Sequence, residues 1–326
     1  MPLLLRRRRR ELRSFFSFAA TNIAVFAVLV AAAGVAYETI ASWNDSQRFP
    51  QRGRSVDVGG YKLNLNCTGE GSPTVVLESG VGGPGLIWAL VQPRVAEFTR
   101  VCSYDRAGYG WSDVGPMPRT SGRMADELHT LLKNGGIEPP YILVGHSFGG
   151  FEVRIFAARH PEEVSGVVLV DASHENQETE GFRPAPNPLR PLAPLLLRIG
   201  VLRATFYFQG ARKLPSDLHS ELEYLMLQAK AIETAYAEIG GFPQSASEVR
   251  AAGKLGDKPL IVLTGAKPGS RSPQLHRRWL DDLQPRLLRL SSHSRQMFAE
   301  NSGHNVPVEE PSAVVRAIRA VYGTVE

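Results

Sequence analysis

The pentapeptide Gly145-His146-Ser147-Phe148-Gly149 lies between the apolar run Tyr141-Ile142-Leu143-Val144 and a helix-like stretch at residues 151–158. A strand that passes through G-x-S-x-G into a helix must reverse sharply at the serine, with a positive φ that crowds the neighbouring backbone. Glycine on either side relieves the crowding because it has no Cβ. The serine is then lifted clear of the sheet edge, which is the pose a nucleophile needs. The same pattern demands a buried strand before the turn and a packed helix after it.

The rest of the chain keeps that rhythm. Ser55-Val56-Asp57-Val58 and Tyr61-Lys62-Leu63-Asn64-Leu65-Asn66 flank Gly59-Gly60 and predict a hairpin. Thr74-Val75-Val76-Leu77, Val101-Cys102-Ser103-Tyr104, Tyr141-Ile142-Leu143-Val144, Val167-Val168-Leu169-Val170 and Leu260-Ile261-Val262-Leu263 are short apolar runs, separated by helical patterns such as residues 124–132 and 153–159. Runs of this kind suit parallel strands covered on both faces, so the fold class is α/β with crossover helices. Residues 176–258 break the alternation with a proline-rich stretch (Pro184, Pro186, Pro188, Pro191, Pro194) and helix candidates at 195–207 and 218–239. An insertion of roughly 80 residues between core strands predicts a helical cap, with a plain packing subdomain as the alternative.

Net charge is +5 with a pI near 9.3, so the placement of the charge matters. Residues 1–54 carry nine arginines against Glu11, Glu38 and Asp45, a balance of +6 that leaves −1 for the remainder. The folded part therefore gives no charge argument for a nucleic-acid partner. Residues 15–37 contain no charged side chain. At about 1.5 Å per residue such a helix crosses a hydrocarbon core of about 30 Å. The pattern predicts a basic leader (1–14), a transmembrane helix (15–37) and a linker (38–54). Six arginines precede the span and only acids follow it closely, which predicts a cytoplasmic N-terminus and an extracytoplasmic folded part. A cleaved export signal, cut near Ala32-Ala33-Gly34-Val35-Ala36, and a twin-arginine signal at Arg9-Arg10 are the alternatives.

Several motifs, in order, carry a family resemblance: Leu77-Glu78-Ser79-Gly80-Val81-Gly82-Gly83, Tyr104-Asp105-Arg106-Ala107-Gly108-Tyr109-Gly110-Trp111-Ser112, Gly145-His146-Ser147-Phe148-Gly149-Gly150, Leu169-Val170-Asp171 and Gly303-His304. Over residues 55–322 the chain resembles the α/β-hydrolase superfamily, in its capped, serine-nucleophile, esterase- and lipase-like branch. The resemblance implies a mostly parallel eight-stranded sheet with helices on both faces. It also implies a core of residues 55–175 and 259–326, with a helical cap over 176–258 between strands six and seven.

A serine hydroxyl needs an imidazole to take its proton and a third group to orient that imidazole. Ser147 is the expected nucleophile. His304, between the last strand and the terminal helix candidate at 311–321, is the expected base. The family's acid is first sought after the strand at 260–264, but Gly265-Ala266-Lys267-Pro268-Gly269-Ser270 has no carboxylate. The superfamily's other position, after the preceding strand, holds Asp171; Glu175 and a mere turn-capping role for Asp171 stand as alternatives. The resemblance further implies an oxyanion hole from the backbone N–H groups of Val81 and Phe148, although Ser79 stands where the family has histidine. The glycine-rich loop lacks a Gly-Lys-Ser/Thr ending, which disfavours nucleotide binding.

Cys67 and Cys102 would meet on neighbouring antiparallel strands of the resembled fold, as a disulfide or as reduced core cysteines. The expected function is a membrane-anchored hydrolase of a small-molecule or lipid carboxylic ester. Leu195, Leu196, Leu197, Phe206, Tyr207 and Phe208 in the cap suggest an apolar one. No metal or organic cofactor is implied. A serine where epoxide and haloalkane hydrolases place aspartate argues against those reactions. The alternatives are a non-catalytic binding protein on the same fold, or a thioesterase, amidase or perhydrolase using the same residues.

Overall fold

The computed structural model describes residues 2–177, 192–205, 214–269 and 271–325, with side chains from residue 16 onward except Pro194. Eight strands form one sheet in the order β1-β2-β4-β3-β5-β6-β7-β8. They are β1 (Arg54–Asp57), β2 (Lys62–Thr68), β3 (Thr74–Glu78), β4 (Val101–Asp105), β5 (Tyr141–His146), β6 (Val164–Val170), β7 (Leu260–Gly265) and β8 (Ser294–Ala299). β1 and β2 form the expected hairpin, β2 runs antiparallel to β4, and every other pairing is parallel.

The apolar runs serve two cores at once because successive strand residues face opposite sides. Val76, Leu143, Val167, Leu169 and Val262 pack on one face, under helices Ser121–Asn134, Gly149–Arg159 and Phe242–Ala252. Val75, Leu77, Ile142, Val144, Val168 and Leu263 pack on the other, against the terminal helix Pro311–Val325. Leu77, Leu143, Val144, Val168 and Leu263 are all fully buried. Burial of each such side chain is worth about 1.5–3 kcal/mol, so the sheet is a stiff platform for whatever its carboxyl edge carries.

The chain divides into two compact units, Met1–Phe49 with Pro188–Phe206, and Pro50–Asn187 with Tyr207–Glu326. In the first, one helix runs Pro2–Arg48, past the expected linker start at residue 38. Residues 38–48 are polar but hold no Gly or Pro, and the chain meets its first breaker only at Pro50. Residues 16–48 contain the apolar stretch, and Phe18, Ile23, Phe26, Val28 and Leu29 are exposed. Against the far end of this helix lie Ala193–Arg198 and Val201–Thr205, broken at Gly200. Arg203 grips Glu38 through two hydrogen bonds of 2.9 and 3.0 Å and Asp45 through one of 2.6 Å. Of the residues expected to form the cap, 192–205 fall in this first unit, and 176–177 and 214–258 in the second.

In the second unit the insertion supplies helices Ser216–Met226, Ala229–Gly240 and Phe242–Ala252. The single candidate at 218–239 is two helices, separated at Leu227-Gln228, and the third helix was not expected. Phe206, Tyr207 and Phe208, and the prolines at 184, 186, 188 and 191, lie outside the described residues, as does Ser270.

Cys67 and Cys102 face each other across β2 and β4, with sulfurs 2.05 Å apart. Unreduced protein unfolded in denaturant should therefore show no titratable thiol, and two after reduction. Closing a loop with a sequence separation of 35 should contribute about 3–4 kcal/mol, lost in Cys67→Ser/Cys102→Ser. Two thiols titrating before reduction would reject the bridge.

Candidate active site

Ser147 has φ 52° and Asp171 has φ 40°; among the described residues these are the two non-glycine positions with positive φ. Left-handed backbone costs an ordinary residue roughly 1–2 kcal/mol, and it persists where the surroundings over-determine it. At Ser147 they do. A Cβ on Gly145 would fall 2.7 Å from the Gly149 carbonyl oxygen, and one on Gly149 would fall 2.5 Å from the Ser79 carbonyl oxygen. The Ser147 N–H donates to the Val170 carbonyl at 3.1 Å, and its own carbonyl accepts from the Ser173 N–H at 2.8 Å. The turn is therefore sewn to the end of β6, and Asp171 follows directly.

His304 lies between β8 and the terminal helix. Its Nε2 is 2.9 Å from Ser147 Oγ, and its Nδ1 is 2.7 Å from Asp171 Oδ2. The imidazole is 42% exposed, so a substrate can reach it, whereas Asp171 is fully buried. Asp171 Oδ1 accepts from the Gly265 N–H at 3.1 Å and Trp279 Nε1 at 2.8 Å, and Oδ2 accepts from Arg271 Nη2 at 2.7 Å. Burial alone would raise this carboxyl, but the Arg271 charge and the His304 hydrogen bond outweigh it and hold the group well below the usual carboxylate range. It is therefore ionised at neutral pH.

The structure brings Ser147, His304 and Asp171 together and leaves Glu175 out. Glu175 pairs with Arg154 at 2.8 Å. The loop after β7, which has no carboxylate, contributes the cation Arg271 instead. His146 gave no signal in the sequence beyond its place in the pentapeptide. Burial, with His304 nearby, pushes its imidazole down to about 3. It stays neutral, and its Nε2–H donates to the His304 carbonyl at 2.8 Å, pegging the loop that carries His304.

The glycine-rich loop closes on Ser147: a Cβ on Gly80 would lie 2.9 Å from Ser147 Cβ. Val81 lines the same cavity as Ser147 and His304, and Phe148 follows Ser147 at the start of the helix. Neither backbone N–H donates to a partner among the described residues. Ser79 supports the loop where a histidine was missing. Its hydroxyl donates to the Pro84 carbonyl at 3.2 Å and accepts from Trp88 Nε1 at 3.1 Å.

A larger share of that support comes from Arg106. Its guanidinium donates to the Ser79 and Gly80 carbonyls at 2.6 and 2.8 Å, to Glu238 at 2.9 and 3.0 Å, and to Glu78. Tyr109 Oη accepts from the Gly82 N–H at 3.1 Å and donates to Glu238 at 2.8 Å. Glu238 belongs to the inserted helix Ala229–Gly240. The glycine-rich loop is thus tied through Arg106 and Tyr109 to an element inserted some 130 residues later. The motif that holds Arg106 was visible in the sequence, but its partner on the insertion was not.

Two cavities meet at Ser147 and His304. One, of about 200 Å³, is walled by Val81, Ile87, Met226, Pro307 and Val308. The other, of about 210 Å³, is lined by Ser173, Gln177, Pro268, Arg271 and Trp279. A larger cleft of about 420 Å³, beside Asn64, Gln92 and Trp111, includes neither Ser147 nor His304.

Residues 73–192 match the family described as alpha/beta hydrolase fold. The chain has the α/β-hydrolase fold. It is 27% identical over 311 residues to a protein of Hormonema carpetanum named "Probable transporter efuK", which covers 82% of this chain and 42% of that protein. The chain thus spans less than half the length of that relative. Among solved structures, the epoxide hydrolase CorEH superposes with a TM-score of 0.63 at 18% identity, over 84% of this chain and 99% of that one. A thermophilic esterase from Thermogutta terrifontis superposes at 0.61 with 21% identity, over 83% and 98%. At these identities the likeness to solved structures establishes the fold.

Three buried carboxyls surround the single Arg106. Glu152 lies 3.7 Å from its Nε, and burial lifts the Glu152 carboxyl well above the usual range. Burial likewise raises Glu78 to about 7, against the pull of Arg106. A glutamate in the unfolded chain ionises near 4.5. The folded form holds the Glu78 proton to higher pH, so its stabilisation is full below about 4.5 and is lost as the pH rises through about 7. Denaturation curves of wild type and Glu78→Gln should diverge accordingly: wild type loses stability relative to the variant between pH 5 and about 7.5. A difference independent of pH across that window would contradict the assignment.

Proposed function

We propose that this protein is a serine hydrolase that cleaves a carboxylic ester through an acyl-enzyme on Ser147, with His304 as general base and Asp171 as the orienting acid. One observation carries the proposal: His304 is held between Ser147 Oγ at 2.9 Å and Asp171 at 2.7 Å. The positive φ of Ser147 and the fold it shares with an esterase support it.

In this mechanism Nδ1–H donates to Asp171, which leaves Nε2 free to accept the serine proton as Oγ attacks the carbonyl carbon. The negative charge that develops on the carbonyl oxygen is met by the backbone N–H groups of Val81 and Phe148. Such donors commonly supply about 3–4 kcal/mol each. The imidazolium, stabilised by ionised Asp171, then gives its proton to the leaving alcohol. Water deprotonated by His304 releases the acid and restores Ser147. The cavity of Ile87, Met226 and Val308 is suited to an apolar acyl or alcohol group.

The reading includes an anchor. The exposed apolar face of the helix at residues 16–37 would cross the membrane, with the arginine-rich leader in the cytoplasm and the hydrolase on the extracytoplasmic side. A bridged Cys67–Cys102 pair fits an oxidising compartment. The inserted helix Ser216–Met226, whose Met226 lines the cavity, would act as a wall of the substrate site.

With a short-chain 4-nitrophenyl ester, Ser147→Ala and His304→Ala should each lose at least about 10³-fold in kcat, with Asp171→Asn down by roughly 10²- to 10⁴-fold. Hydrolysis that persists in Ser147→Ala at the wild-type rate would overturn the proposal. No turnover of any ester by wild type would favour a binding protein on this fold.

A further inference from the structure

Arg271 stands inside the site with no part in acyl transfer. Its Nη2 is 2.7 Å from Asp171 Oδ2 and 3.2 Å from His304 Nδ1. A guanidinium only donates, and Nδ1 carries its proton whenever Nε2 is free to accept from serine. The 3.2 Å approach is then a contact between two donors, not a hydrogen bond. Asp171 also accepts from Gly265 N–H, Trp279 Nε1 and His304 Nδ1, so Arg271 is one of four donors to it.

The guanidinium is also incompletely satisfied. Arg271 Nη1 is buried and has no hydrogen-bond partner among the described residues. The group lies 4.3 Å above the Trp279 ring and lines, with Ser173, Gln177 and Pro268, the cavity of about 210 Å³ that opens on Ser147 and His304.

We infer that this cavity is a carboxylate subsite, and that Arg271 is the residue that selects esters bearing a carboxylate. The inference rests on the ester-hydrolase reading and names the substrate class for it. A carboxylate is planar and offers two oxygens, the complement of a guanidinium fork. Bound there, it faces the Arg271 cation that lines the cavity, with Ser173 and Gln177 as further polar neighbours. The apolar cavity beside Val81 and Met226 takes the other portion of the ester.

Two matched substrate pairs test this with the full chain in a neutral detergent. One is 4-nitrophenyl hydrogen glutarate against 4-nitrophenyl methyl glutarate, with the charge on the acyl side. The other is 4-butyryloxybenzoate against its methyl ester, with the charge on the leaving side. The readout is the ratio of kcat/KM for the anionic over the neutral member. In at least one pair Arg271→Gln should lower that ratio by about thirty-fold, mainly through KM, the size expected of a charged hydrogen bond. Arg271→Lys should retain an intermediate ratio. If both members lose activity in equal proportion in both pairs, Arg271 merely positions Asp171 and His304, and the inference is overturned. Loss of the Ser147 dependence would instead overturn the nucleophile assignment, and the inference with it.

Discussion

The strand-to-helix reversal at Ser147 is possible only because no Cβ stands at Gly145 or Gly149, where β5, the helix Gly149–Arg159 and the glycine-rich loop come within contact of each other. That crowding does more than strain one residue. It draws the Ser79-Gly80 segment against Ser147 and ties the Ser147 backbone to Val170 and Ser173 on either side of Asp171. Two turns from separate crossovers are locked together at the carboxyl edge of the sheet, where open parallel sheets gather their sites. His304 needs only to hang over that edge from the loop after β8.

Two buried charge networks then fix what the backbone leaves free. Asp171 is ionised and accepts from four donors, so the imidazole it faces has a single orientation. On the other side of Ser147, Arg106 spends its donors on two loop carbonyls and on carboxyl groups from β3 and the inserted helix. Breaking a buried pair of this kind by removing one partner commonly costs about 3–5 kcal/mol, because the survivor is left uncompensated. The geometry of the glycine-rich loop therefore depends on a helix distant in sequence. A change at Glu238 reaches the candidate oxyanion donors without touching them.

Much of this architecture was legible in the sequence, for specific reasons. Parallel strands buried on both faces must be continuous apolar runs, so Thr74-Val75-Val76-Leu77 and its counterparts were visible. Ser147 announced itself through its glycines, and His304 through its place between β8 and the last helix. Asp171 could be named only by resemblance, since an aspartate after a strand is also an ordinary turn residue. Long-range pairs left no local trace: nothing near Arg271 or Trp279 reveals that both reach Asp171, about 100 residues away. The break at Leu227-Gln228 escaped notice because apolar periodicity continues across it. The helix Phe242–Ala252 was hidden by Pro243, which the first turn of a helix tolerates. Polar residues 38–48 looked like a linker, yet polarity does not end a helix; a breaker does.

The most direct measurement is peptide mapping by mass spectrometry after brief exposure of the full chain to a fluorophosphonate. Because the hydroxyl of Ser147 is the one held against His304 Nε2 in a strained turn, a single adduct is expected on Ser147. It should disappear in His304→Ala. An adduct on a different serine, or labelling of Ser147 that is indifferent to the loss of His304, would contradict the mechanism built on that contact.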